Sequence, residues 1–508
     1  MIRFTAHTRR VFALACLAFV VSASSAPPAM AQTAAKPVVI ASSEDIISLD
    51  PHMLDINHPT GSVIWSIFDS LVRRAPDGSA QPRLATSWEK VDALTWRFHL
   101  RTGVAFSNGE TFDAQAVKYN LDRMAKPPFS TVQQLHQQTG LKEVKVVDAQ
   151  TVDLITSQPT LDMLYWLEEA FIGAPNYLAQ STPEQLARQP VGSGPYRLVQ
   201  WRRGDQVQLE ANPTYWGTAP AVKQVVFRNI PEVSSRLNEL RAGSVDIATG
   251  ITPDSASQAD SELSTSENLE GLRKMHMGIS LNGEQPALKD PRVRQALNYA
   301  VDVKTIIDSM MGGATSQLRS IVNPPNNNPA LAAWTFDPAK AKALLSQAGY
   351  PEGFPLTLQW STRYSGGKEI AEVVGSYLEQ VGIKPTYEAV ELGQFLHGLS
   401  TASLKGIYFQ GWAALINPQI ELIILTCGHV DNSSGYCNPR YDELVHKAAN
   451  TADDAERQKL QFAAQQIVWN DAPWLYLWRL PTFYGISKKL SYAFRGDNYV
   501  EPYLITYK

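Results

Sequence analysis

Strict alternation marks the segment from Thr95 to Arg101: Trp96, Phe98 and Leu100 fall on one face, and Arg97, His99 and Arg101 on the other. That period of two predicts a half-buried strand, which ends near the Asn108-Gly109 turn. Helical spacing follows. Asp113 is placed to cap a helix carrying Val117, Leu121 and Met124, and Val233, Leu237 and Leu240 repeat the spacing before a stop at Gly243. Val38-Val39-Ile40 opens the mature chain as a strand. From Asp290 the elements come regularly: a helix from Pro291, a helix from Pro338 to Ala348 ending at Gly349, a strand from Leu356 to Trp360, and a helix from Lys368 to Val381 ending at Gly382. A strand near Pro385 to Val390, a helix near Phe395 and a strand from Gly406 to Gln410 continue the series, which reads as βαβ units. The strand-like run from Trp474 to Tyr484 leads to a tail that returns to the first part of the chain. Strand and helix signals alternate throughout, so the fold class is α/β.

The N-terminus changes the picture. Arg3, Arg9 and Arg10 precede an apolar run from Val11 to Val21, and Ala29-Met30-Ala31 offers a small-x-small cleavage site, the pattern of a secretory leader. Eleven apolar residues fall short of the roughly 20 that a spanning helix needs. Cleavage near Ala31 and a periplasmic location are expected. Cys16 within Leu14-Ala15-Cys16 only loosely matches a lipidation site, because the apolar run continues beyond it. Of 508 residues, 477 would remain, enough for two or three lobes.

The leader takes three arginines and no acid with it, moving the formal net charge from −4 to −7. No dense cationic block is left, which makes nucleic acid a poor partner. Cys427 and Cys437 remain as an even pair in an oxidising compartment, and a disulfide between them would close a loop rich in Asp, Asn, Ser and Gly. A thiol metal site lacks partners beyond His429, and no metal or other cofactor is expected. There is no His-Glu-x-x-His, Gly-x-Ser-x-Gly, phosphate loop or dinucleotide-binding glycine run. Ser193 sits between glycines with no base implied nearby, so no catalytic residue is assigned.

Ordered blocks resemble the family 5 solute-binding proteins, the dipeptide, oligopeptide and nickel group of ABC importer receptors. They are Ser48-Leu49-Asp50-Pro51-His52; Ile67-Phe68-Asp69-Ser70-Leu71; Leu84-Ala85-Thr86-Ser87-Trp88; Thr95 to Arg101 with Phe106 and Gly109; and Val191-Gly192-Ser193-Gly194-Pro195-Tyr196. Asn212-Pro213 with Tyr215-Trp216, Asp290 to Leu297, Asp337-Pro338 through Pro351, and Gly411-Trp412 complete the set. The resemblance implies a two-lobed periplasmic binding protein fold of type II. Lobe I would run over 32–281 with an inserted subdomain at about 76–190, lobe II over 282–480, and residues 481–508 would return to lobe I. Crossings are expected near Ile279 to Gly283 and Pro481 to Ser487, where a few residues absorb the rotation of hinge closure.

The same resemblance implies a monomeric receptor that catalyses nothing, holds a small solute such as a peptide or amino-acid derivative, and delivers it to ABC permease subunits. Peptide binders of the family carry an arginine after the strand that precedes the Lys368 helix, and Arg363 of Ser361-Thr362-Arg363-Tyr364 stands there, suited to a carboxylate. They also carry an amine-holding aspartate three residues after the Gly-Trp pair; this chain has Leu415. Tyr364, Trp412, Asn417, Glu44 and Asp45 complete the candidate ligand lining. Glu44, Asp45 or Glu421 would be the acids able to replace the missing aspartate. A nickel or other metal chelate, a glutathione-like solute, a secreted hydrolase and a chaperone-like periplasmic protein are the alternatives.

Overall fold

The computed structural model describes residues 36–508 apart from 54–57, 76–78, 127–134, 136–138, 161–162, 270–272, 284, 362, 365, 413–416, 452 and 495–498. The expected leader, residues 1–31, lies outside the described residues. Residues 37–508 form one body built on three main sheets.

The first sheet has seven strands. Val38–Ser42 lies at its centre, parallel to Gln224–Asn229 on one side and to Ile247–Ile251 on the other. Gln206–Ala211 and Tyr196–Arg202 extend one edge, and Thr482–Ser487 and Ser264–Leu269 the other, all by antiparallel pairing. Between Val38–Ser42 and Tyr196–Arg202 the chain builds a separate antiparallel sheet of four strands, ordered Ala85–Lys90, Thr95–Leu100, Thr151–Thr156, Leu141–Asp148. Here the sequence alternation is realised: Trp96, Phe98 and Leu100 are buried and pack with Val117, Leu121 and Met124 of the helix Ala114–Met124. Asp113 caps that helix, accepting from the Ala116 amide at 2.9 Å.

The third sheet has five strands, ordered Lys384–Ala389, Pro355–Trp360, Ile407–Trp412, Lys274–Ile279, Trp474–Arg479. The first three are parallel, as βαβ units require, with the helices Gly367–Glu379 and Leu392–Ser400 between them. Lys274–Ile279 sits between two antiparallel partners. Its Met275, Met277 and Ile279 join the core formed with Val293, Leu297, Ile370 and Val374.

The chain passes from the seven-stranded to the five-stranded sheet between Leu269 and Lys274, and returns between Arg479 and Thr482. The first passage precedes the stretch near Ile279 expected from sequence, because Lys274–Ile279 is hydrogen-bonded on both sides within the sheet. The apolar run from Trp474 to Tyr484 proves to be two strands in different sheets. Leu480-Pro481 divides them, and it reads as one run because both strands are buried on both faces.

The seven-stranded and four-stranded sheets meet at Asp69, which is 1% exposed. Its carboxylate accepts from Arg83 Nε (2.6 Å), Trp216 Nε1 (2.8 Å) and Ser193 Oγ (3.1 Å). Asp69→Ala would leave the largely buried Arg83 without its carboxylate, a loss of about 3–5 kcal/mol. Urea unfolding measures it; an unchanged midpoint would show that Arg83 is satisfied elsewhere.

Candidate functional site

The parallel strands Pro355–Trp360 and Ile407–Trp412 run side by side, and Arg363-Tyr364 follows the carboxyl end of the first. Ligands of open α/β sheets characteristically bind outside such ends. The Tyr364 ring packs edge-on against Phe409 (5.9 Å between centroids) and Phe395 (6.5 Å), and its hydroxyl donates to the Gly411 carbonyl at 3.1 Å. The tyrosine is thereby fixed to the end of the strand. Arg363 is exposed, lies 5.7 Å from the Tyr364 ring centre and donates from Nε to its hydroxyl at 3.3 Å. Packing thus holds the platform while the guanidinium faces solvent.

Gly411 makes this approach possible. A Cβ there would stand 2.9 Å from Met275 Sδ, 3.1 Å from Tyr364 Cε1 and 3.3 Å from Arg273 Cδ. Arg273, which the sequence reading did not single out, therefore reaches the same place from the residue just before Lys274–Ile279. Its carbonyl accepts from the Leu480 amide at 2.8 Å, which joins the two crossings.

On the opposite face, Lys274 pairs with Glu421 of the helix Pro418–Ile423, both side chains wholly buried. Glu421 also accepts from the Asn323 amide (3.1 Å). Desolvation drives the lysine ammonium down and the glutamate carboxyl up, each opposed by the other's charge. Glu421 is committed to this pair. Asn417 caps the same helix, its Oδ1 accepting from the Gln419 amide at 2.9 Å. Trp412 is half-buried, and its indole N–H, shielded from solvent, has no hydrogen-bond partner among the described residues. Leu415 lies outside the described residues. Glu44 and Asp45 follow the carboxyl end of the parallel strand Val38–Ser42 in the seven-stranded sheet; Asp45 accepts from the Gly204 amide at 3.0 Å, and Glu44 is exposed. Arg363 and Tyr364 thus lie at the Gly411 end of Ile407–Trp412, Trp412 is that strand's last residue, Asn417 opens the helix on the opposite face, and Glu44 and Asp45 are on another sheet.

Cys427 and Cys437 are disulfide-bonded. The loop they close delivers Ser433 Oγ to Tyr408 Oη (3.0 Å) and Gln410 Nε2 (3.1 Å), both donors on Ile407–Trp412. Gln410 Nε2 also donates to His276 Nε2 (2.9 Å), an arrangement that needs a neutral ring. His276 stacks on Trp474 at 3.7 Å, and burial pushes its imidazole down to about 3.

A depressed histidine stabilises the fold fully above its unfolded value of about 6.5, and that contribution is lost as the pH falls toward the folded value, because only the unfolded chain takes up the proton. At pH 5 the loss through His276 is about 2 kcal/mol. His276→Gln should flatten this part of the profile, read from denaturant midpoints at pH 7.5 and 5; equal falls in both proteins would assign the acid lability elsewhere. Lys274→Met should cost about 3–5 kcal/mol by stranding Glu421, whereas Lys274→Met with Glu421→Leu should recover most of it. The same unfolding measurement decides, and a double variant no better than the single one would show that the pair itself is essential.

Comparison with known proteins accords with this geometry. Residues 79–432 match the bacterial extracellular solute-binding proteins, family 5 Middle. The glutathione-binding protein GsiB of Pectobacterium atrosepticum is 31% identical over 478 residues, spanning 90% of this chain and 91% of that protein. The periplasmic binding protein DppA of Helicobacter pylori, an ABC transporter-associated protein solved with the peptide STSA, superposes with a TM-score of 0.75 at 25% identity, covering 92% of this chain and 98% of that one. HbpA2 of Haemophilus parasuis shares the fold, with a TM-score of 0.83 at 23% identity over 93% and 99% of the two chains. The chain belongs to the bacterial extracellular solute-binding proteins, family 5.

Proposed function

We propose that this chain is the periplasmic solute receptor of an ABC importer, exported by cleavage near Ala31, which closes two lobes around a small anionic solute and hands it to the permease. The seven-stranded sheet with its four-stranded insertion forms one lobe and the five-stranded sheet the other. Their connection through two short passages supports hinge closure. No helix among the described residues is long and apolar enough to cross a membrane. The related GsiB and DppA are binding proteins.

The observation that carries the reading is Arg363. It is an exposed guanidinium on an anchored tyrosine, past the end of two parallel strands, and it has no carboxylate partner among the described residues. Inside a closed cleft such a cation needs an anionic partner, which the solute supplies. The ammonium side is different. Leu415 stands where peptide binders of the family hold a free amine, and Glu421 is neutralised by Lys274. A solute with a carboxylate and no free α-ammonium at the usual place fits best. The similarity to a glutathione-binding protein favours a γ-linked or otherwise modified peptide within that class.

Native mass spectrometry of protein taken fresh from the periplasm should identify the retained solute. Adding that solute should shrink the radius of gyration and raise the melting temperature. Arg363→Ala should weaken binding about a hundredfold or more by calorimetry. Tight binding of unmodified dipeptides, or no loss in Arg363→Ala, would place the solute's anchors on other residues.

A further inference from the structure

Lys274 points into the buried ion pair with Glu421, so its neighbours in the strand alternate to the other face. Met275 and Arg273 accordingly lie over Gly411, where Met275 Sδ, Tyr364 Cε1 and Arg273 Cδ converge within 3.3 Å of the space that a Cβ would fill. Tyr364 therefore has an arginine at each flank: Arg363 from the turn and Arg273 from the crossing. Arg273 is partly exposed, and among the described residues neither guanidinium has a carboxylate partner. The nearby acid Glu421 is spent on Lys274. Two cations held beside one aromatic ring with no carboxylate partner among the described residues repel one another, an arrangement that a ligand with two negative groups relieves.

We infer that Arg273 is a second anion-holding residue of the cleft, so that the preferred solute carries two anionic groups, one met by Arg363 and one by Arg273. This rests on the receptor reading above and narrows its solute class to those with two anionic groups, dicarboxylates above all. Arg273 is held by its backbone, through the bond that its carbonyl accepts from Leu480, and no side-chain hydrogen bond or ion pair engages its guanidinium among the described residues. Substituting it should therefore leave the fold intact.

Calorimetry on the full mature chain would compare glutathione, which has two carboxylates, with its two monoamides, in each of which one carboxylate is made neutral, and with N-acetyl-alanyl-alanine. Wild type should prefer glutathione to the single-carboxylate probes by about a hundredfold. Arg273→Gln should weaken glutathione binding about a hundredfold and erase the margin over one of the two monoamides, the non-additive result expected of groups in contact. Arg273→Lys should recover part of the loss, and melting temperatures should stay within a few degrees of wild type. If wild type binds single-carboxylate probes as tightly as glutathione, or if Arg273→Gln leaves the margin unchanged, Arg273 stands outside the site; the inference then falls while the receptor reading survives. If no probe binds and none reduces the radius of gyration, the anionic-solute reading falls and takes this inference with it.

Discussion

The buried pair of Lys274 and Glu421 is the constraint around which the ligand-facing end of the five-stranded sheet is arranged. Removing both charges from water costs several kcal/mol each, and their mutual attraction plus the Asn323 amide must offset that cost. The offset holds only for a narrow geometry. Lys274 is the first strand residue after one crossing, and in the sheet register it lies between Trp412 and Arg479, the last residues of two neighbouring strands. Glu421 belongs to the helix that opens immediately after residues 413–416. One ion pair thus fixes a crossing, the end of the strand that carries Gly411 and the helix Pro418–Ile423. By facing inward, Lys274 also decides that Arg273 faces the other way.

A second buried charge organises the first lobe, and it explains why the family blocks were so easy to read. Asp69 gathers Arg83, Ser193 and Trp216, while Arg83 lies over the rings of Tyr215 and Tyr503. Three separated segments of sequence converge on this one carboxylate. The glycines around Ser193 serve the same knot, since a Cβ on Gly192 would stand 2.1 Å from the Ile67 carbonyl oxygen and one on Gly194 2.6 Å from the Ile67 carbonyl carbon. Gly-Ser-Gly is here a close approach of two backbones, and Ser193 is a buried donor to Asp69. What the resemblance detects most strongly is packing, far in chemistry from the solute.

Regular periods were legible where one face is apolar. The strand at Thr95, the helix capped by Asp113 and the βαβ series from Pro355 to Trp412 all follow from spacing and caps. The helix Asp454–Asp471 has no such signature, because Gln461 and Gln465 hold two of its buried positions and satisfy themselves through hydrogen bonds. A polar residue in the core breaks the apolar period without breaking the helix. In the site, Arg363 was legible through the family resemblance, which implies an arginine after the strand that precedes the Lys368 helix. Arg273 was not: one arginine before Lys274-Met275-His276 reads as a solvated flank, and only the absent Cβ of Gly411 shows what lies beneath it.

The distribution of these charges bears on how closure is driven. Arg363 and Tyr364 sit on the five-stranded side, and Arg273 directly precedes that sheet's strand Lys274–Ile279, on the crossing that Leu480 joins to the other one. Contacts confined to one lobe are made equally in open and closed arrangements, and a ligand with equal affinity for two states shifts neither. Moving a population from mostly open to mostly closed takes a differential of roughly 10⁴ in affinity. That differential must come from groups on the seven-stranded side, where Glu44 and Asp45 follow the carboxyl end of the central parallel strand. Anchoring and closing are then separate tasks in the proposed receptor: the arginines would hold the solute's negative charge, and the opposite side, with Glu44 and Asp45 at its strand end, would read what remains of the solute as it closes.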